Sequence, residues 1–159
     1  MGVVAEVELE VPDAADMRTL GERLGGLLRA GDLLVLTGDL GAGKTTLTQG
    51  IGEGLGVRGP ITSPTFVIAR VHPSLAGGPA LVHVDAYRLG GFAELDDLDL
   101  DASAEDSVTV VEWGEGLAEG LADARLEVII SRSAGPSEIR KVKITGIGER
   151  WEGLATSLR

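Results

Sequence analysis

Cysteine is absent from all 159 residues, which excludes disulfides, thiolate metal sites and a cysteine nucleophile. A chain without thiols fits a reducing compartment, and the expected location is the cytoplasm. Only two His are present, so with no Cys a structural zinc site has too few ligands to be expected. Aromatic side chains are also scarce, with two Trp, one Tyr and two Phe. No apolar run approaches the roughly 20 residues of a membrane helix. The longest, such as Leu33 to Leu36, have the length of strands, and no membrane association is expected. The start, Met1-Gly2-Val3-Val4-Ala5-Glu6, shows no basic region followed by an apolar segment, so no secretory signal is read there. Basic residues number 14 against 25 acidic ones, a formal net charge of −11. A surface this acidic repels a nucleic-acid backbone and argues against autonomous, non-specific binding of RNA or DNA. The late cations Arg132, Arg140, Lys141, Lys143 and Arg150 read first as scattered charges on solvated strands and only second as a basic patch.

What is present is an ordinary apolar fraction of 43% and as many as 24 glycines. The first predicts one globular domain over residues 1–159. The second predicts tight turns and close backbone approaches. From Asp13, a plausible N-cap, the apolar residues Met17, Leu20, Leu24, Leu27 and Leu28 recur at helical spacing, predicting an amphipathic helix that ends near Arg29 to Gly31. Leu33-Leu34-Val35-Leu36-Thr37 has the continuous apolar pattern of a strand buried on both faces. A glycine loop and a helix from about Gly43 to Gly54 follow. Further strands are expected over residues 65–71, 80–84 and 107–111, and over 126–130 and 139–145 as an antiparallel final pair. Residues 73–79 read as a loop, and 92–101 as an acidic, partly apolar helical turn. The alternation predicts an α/β fold with a mostly parallel central sheet flanked by helices.

Three conditions meet at residues 33–54: a strand of buried type, then Gly38-Asp39-Leu40-Gly41-Ala42-Gly43-Lys44-Thr45, then a helix. Glycines at 38, 41 and 43 let backbone N–H groups converge on phosphate oxygens where a Cβ would obstruct them. The helix start adds unpaired N–H groups and the positive end of its dipole. Lys44, expected to face solvent in an empty site, suits the β- and γ-phosphates, and the Thr45 hydroxyl suits Mg²⁺. A chance glycine-rich turn lacks this flanking strand and helix, so the motif predicts a P-loop NTPase domain binding ATP/ADP with Mg.

A P-loop also needs a metal contact and a group near the γ-phosphate. Asp85 and Glu112 each end an apolar strand, and in open α/β sheets those ends face the ligand crevice. Either suits Mg²⁺ or an attacking water, and either also serves as a plain loop cap. Thr65, in Ser63-Pro64-Thr65, is a candidate switch residue or simply a turn that opens a strand. His83 reads as a packed, hydrogen-bonded side chain rather than a ligand. Trp113 fits a core position or a contact to adenine or a partner.

Gly-Asp-Leu-Gly-Ala-Gly-Lys-Thr-Thr at 38–46, Ser-Pro-Thr-Phe at 63–66, His-Val-Asp-Ala-Tyr-Arg-Leu at 83–89 and Val-Glu-Trp at 111–113 together resemble the TsaE (YjeE) family over roughly residues 12–145. That family is the P-loop ATPase of bacterial tRNA threonylcarbamoyladenosine biosynthesis. The resemblance implies an ATP-hydrolysing subunit, slow alone, that resets or licenses the TsaD–TsaB pair, with tRNA engaged only through that complex. By position it implies nucleotide binding at Gly41, Ala42, Gly43, Lys44, Thr45 and Thr46. It implies Mg contacts at Thr45, Asp85 and Glu112, a switch threonine at Thr65, and Asp13 to Met17 close to the adenine. The chain departs from the family at Asp99, where Gly is common, and at Ser137, where an arginine is common. Two other functions fit a P-loop: a small metabolite or nucleotide kinase, and a non-catalytic nucleotide-dependent binding module. An arginine-rich lid would favour the kinase. The segments after the central strands are acidic or Gly-rich instead.

Overall fold

The computed structural model describes residues 3–38, 43–57, 69–75, 77–85, 107–112, 124–132 and 139–153, with Val3, Ala69, Arg70, Asp85 and Arg132 described by backbone alone. Strand β1 (Val3–Val11) leads into helix α1 (Ala14–Leu27), then β2 (Leu33–Gly38) and α2 (Lys44–Leu55). Strands β3 (Ala69–His72), β4 (Ala80–Asp85), β5 (Ser107–Glu112), β6 (Arg125–Arg132) and β7 (Arg140–Ile147) follow, and a 3-10 turn spans Glu149–Trp151. They form one seven-stranded sheet in the order β1-β7-β6-β2-β5-β4-β3. The sheet is mixed rather than mostly parallel. β2 runs parallel to β5 and β6, and β4 parallel to β5. The pairs β1–β7, β6–β7 and β3–β4 are antiparallel. The expected final pair is therefore antiparallel as read, and two further antiparallel strands close the sheet's edges.

β1 went unread in the sequence. Its pattern is nonetheless that of a half-buried strand: Val7 and Val11 are buried, while Glu8 and Glu10 between them stand opposite Lys143 and Lys141 of β7. Helix α1 starts as expected, with the Asp13 side chain accepting from the Asp16 N–H at 2.9 Å. It stops at Leu27, before the expected end. Leu28 turns extended (φ −77°, ψ 145°), and the Arg29 N–H goes to the Asp32 carboxylate at 2.6 Å. Asp32 also receives Arg150 at 3.1 Å, and Arg150 donates to the Leu27 carbonyl at 2.7 Å while lying 4.1 Å above the buried Trp151 ring. One of the late cations is thus employed inside the fold. Another, Lys143, pairs with Glu6 at 3.6 Å.

Both helices cover one face of the sheet, where Met17, Leu20, Leu24, Leu47 and Ile51 share a core with Leu34, Leu36, Leu81, Val108, Val110 and Val128. The helices meet backbone to backbone. Gly21 and Gly25 of α1 face Gly50 and Gly54 of α2, so that a Cβ added at Gly50 would stand 2.9 Å from the Gly21 Cα and closer still to the Arg18 carbonyl oxygen. At the rim, the exposed Arg18 bonds to Glu53 and holds that carboxyl below the usual range, while Glu22, hydrogen-bonded to Glu53, is held above it. Solvent screening keeps such a rim pair weak, so the glycine contact governs the helix pair.

Gly50→Ala is therefore expected to cost about 3 kcal/mol, the upper end of ordinary overpacking, and to lower Tm by roughly 6–12 °C in a domain of this size. Gly26, on helix α1, has open space around its would-be Cβ. Gly26→Ala should instead be neutral or stabilising by up to about 1 kcal/mol. Thermal unfolding of both variants checks the contrast, and a Gly50→Ala variant as stable as the parent would contradict this packing.

Candidate functional site

Strand β2 is buried along almost its whole length, with Leu34 and Leu36 fully enclosed, so its end is a fixed platform. The chain passes from β5 on one side of β2 to β6 on the other. The carboxyl end of β2 is thus a point where strand order reverses, the usual place for a ligand crevice in an open α/β sheet. Helix α2 begins there. Its N-cap, Gly43, has φ 112° and ψ 13°, a left-handed conformation that a side chain resists. A Cβ at Gly43 would also stand 3.3 Å from the Met17 Cε, so the start of α1 is packed against the start of α2. This places Met17, one of the residues expected near the adenine, beside the glycine loop.

Among the described residues no side chain caps α2, and its first turn contains no acidic residue. The opening N–H groups and dipole of such a helix end favour an anion. Lys44 departs from expectation. It is buried, 7% exposed, and its ammonium donates to the Gly38 carbonyl across the mouth of the loop rather than facing solvent. An ammonium taken out of water needs acceptors, and the carbonyl at the end of β2 is one within its reach. The Thr48 hydroxyl bonds back to the Lys44 carbonyl at 2.8 Å, tying the first two turns of α2 together. Thr45 and Thr46 are half-buried.

Glu112 lies at the end of β5, paired in register with Leu36 of β2 on one side and Asp85 of β4 on the other. The two expected carboxylate positions are therefore neighbours, on the first and second strands to one side of the strand that leads into the loop. Glu112 is 4% exposed and its Oε2 is 2.8 Å from the His83 Nε2, whose ring is fully buried. His83 is thus packed and hydrogen-bonded, as read from the sequence, although nothing there named Glu112 as its partner. Of the other site positions, Gly41, Ala42, Thr65 and Trp113 lie outside the described residues, as do Ser137 and the acidic stretch Glu94–Asp101. Among the described residues no group of three or more His, Asp or Glu gathers as a metal site, and no helix is long and apolar enough to cross a membrane. The donors that are described, the Thr45 hydroxyl and the Glu112 carboxylate, are hard oxygens of the kind Mg²⁺ takes, alongside water and phosphate.

Fold and site together define an α/β domain with a mixed sheet and an open, glycine-capped helix N-terminus at the end of its central strand. The model of the family described as "Threonylcarbamoyl adenosine biosynthesis protein TsaE" matches residues 11–142. The chain belongs to the TsaE family. A Streptomyces coelicolor protein named tRNA threonylcarbamoyladenosine biosynthesis protein TsaE is 67% identical over 138 residues, covering 85% of this chain and 93% of its own. A Bacillus subtilis protein of the same name is 38% identical over 144 residues, covering 90% and 87%. Among solved structures, the crystal structure of Bacillus subtilis YdiB superposes with a TM-score of 0.76 at 29% identity, covering 99% of this chain and 96% of that one.

Proposed function

We propose that this chain binds ATP with Mg²⁺ at the end of β2 and hydrolyses it in the P-loop manner. In this reading it supports a TsaD–TsaB pair that transfers a threonylcarbamoyl group to adenosine 37 of tRNA. The observation that carries the reading is the start of α2: a helix N-terminus with no side-chain cap among the described residues, no acidic residue in its first turn, a left-handed glycine to open it and a buried lysine at its first position. An anion is the ligand that such a site favours, and a lysine held against a neutral carbonyl is ready to exchange it for a charged phosphate.

Each residue then has a task. Gly41, Ala42 and Gly43 bring backbone N–H groups to the phosphates, and Lys44 leaves the Gly38 carbonyl to bond the β- and γ-phosphates. Thr45 offers its hydroxyl to the metal, with Thr46 beside it on the phosphate side. Mg²⁺, when bound, neutralises charge on the β- and γ-oxygens. Glu112 and Asp85, on adjacent strand ends, hold metal-bound water or orient the attacking one, and Thr65 senses the γ-phosphate.

Lys44→Ala removes a charge-assisted bond worth about 1.5–3 kcal/mol, so affinity for a fluorescent ATP analogue should fall about 10–150-fold. The burial of Lys44 adds a requirement: thermal unfolding must show the variant folded. Unchanged affinity in a folded variant would make the glycine loop structural and defeat the reading.

A further inference from the structure

The ring of His83 is completely enclosed at the centre of β4, yet it makes its hydrogen bond to one group, the Glu112 carboxylate. A carboxylate only accepts, so the His83 Nε2 carries the hydrogen and donates it to Oε2 at 2.8 Å. The Nδ1 on the other side of the ring is buried without a hydrogen-bond partner among the described residues. A bare acceptor tolerates that position better than a second N–H would, which favours the Nε2–H tautomer. Stability alone does not call for this arrangement, because a buried polar pair is often no better than apolar side chains of the same volume. The neighbouring positions on β4 show what packing prefers: Leu81, Val82 and Val84 are all apolar and buried.

We propose that His83 is a positioning residue for the reaction: it fixes the Glu112 carboxylate by holding Oε2, and so commits Oε1 to the metal-bound or attacking water. The inference rests on the assignment of Glu112 to hydrolysis. His83 acts through Glu112 and touches neither nucleotide nor metal. Partners that orient a reacting carboxylate in this way are worth about 10–100-fold in activity.

Three variants of the full chain test it, with phosphate release and ATP-analogue affinity measured at saturating Mg²⁺ and thermal unfolding followed in parallel. His83→Gln keeps an amide N–H near the position of Nε2, whereas His83→Asn carries its N–H near the position of Nδ1, short of Glu112. His83→Leu has no donor. The maximal rate should fall about 10–100-fold in His83→Leu and His83→Asn, with nucleotide affinity nearly unchanged, and His83→Gln should restore most of the rate. Adding His83→Leu to Glu112→Gln should cost little beyond Glu112→Gln alone, because the two act as one unit. Equal rates for the Gln and Asn variants would overturn the proposal even if the Leu variant fails to fold, because those two differ chiefly in where the donor sits. If Glu112→Gln is slow while His83→Asn is as fast as the parent, this inference fails and the role of Glu112 stands. If Glu112→Gln itself hydrolyses at the parent rate, both fall.

Discussion

Glu112→Gln is expected to lower phosphate release by about 10²–10⁴-fold, the range over which a positioned acid or base acts, while ATP affinity stays close to that of the parent chain. The separation follows from where Glu112 sits. It is buried at the end of β5, one strand from β2, and its expected task is to place water, an interaction made chiefly in the transition state. The phosphates themselves are assigned to the glycine loop and Lys44, which this substitution leaves intact. Gln has nearly the same shape, and its amide oxygen still accepts from the His83 Nε2, so the strand end should keep its geometry. Affinity and phosphate release at fixed Mg²⁺ separate the two contributions. Asp85→Asn, measured the same way, tests the neighbouring strand end. A variant with the parent rate would reduce that carboxylate to a loop cap.

How much of this was legible in the sequence depends on the range of the interactions involved. β2 was readable because four successive apolar residues leave a strand no solvent face, and α2 because glycines, a lysine and a threonine follow it directly. The period-2 alternation of β1, Val7-Glu8-Leu9-Glu10-Val11, was equally plain, yet its partner is β7, more than a hundred residues away. Strand direction is a property of connections rather than of a strand's own residues, which is why a mostly parallel sheet was expected and a mixed one found. The glycines predicted close backbone approach. Only the fold shows that Gly21 and Gly25 meet Gly50 and Gly54, although each helix carries the Gly-x-x-x-Gly spacing that permits such a contact. The rotamer of Lys44 and the bond between His83 and Glu112 had no signature in the sequence. The first depends on a backbone carbonyl, which no side-chain pattern announces, and the second joins residues 29 apart on different strands.

The largest effect is expected from the partners. Phosphate release by the chain alone should be slow, and adding the TsaD–TsaB pair from the same organism should raise it, by about 10³–10⁵-fold if the pair supplies an arginine to the γ-phosphate. The physical motive lies in the cations. Among the described residues, Lys44 is the cation at the mouth of the loop. Arg18 is engaged with Glu53, and Arg125 with Glu127 at the start of β6. Arg150 is engaged with Asp32, which precedes β2 at the end of the sheet opposite Glu112. Among the described residues, one lysine would thus meet the charge that spreads over the γ-phosphate oxygens in the transition state. A partner's arginine would add to that charge, and its surface would exclude water from the crevice. The net charge of −11 suits a partner with a basic docking face, and the acidic stretch Glu94–Asp101 reads either as a surface for it or as a solvated loop. That attraction is screened by salt, so the stimulation should weaken as ionic strength rises. The assay is phosphate release by the chain alone, then with the pair, then with tRNA added, each at two salt concentrations. Fast hydrolysis by the isolated chain, indifferent to the pair, would defeat partner gating. Phosphate appearing on a small metabolite would identify a kinase instead.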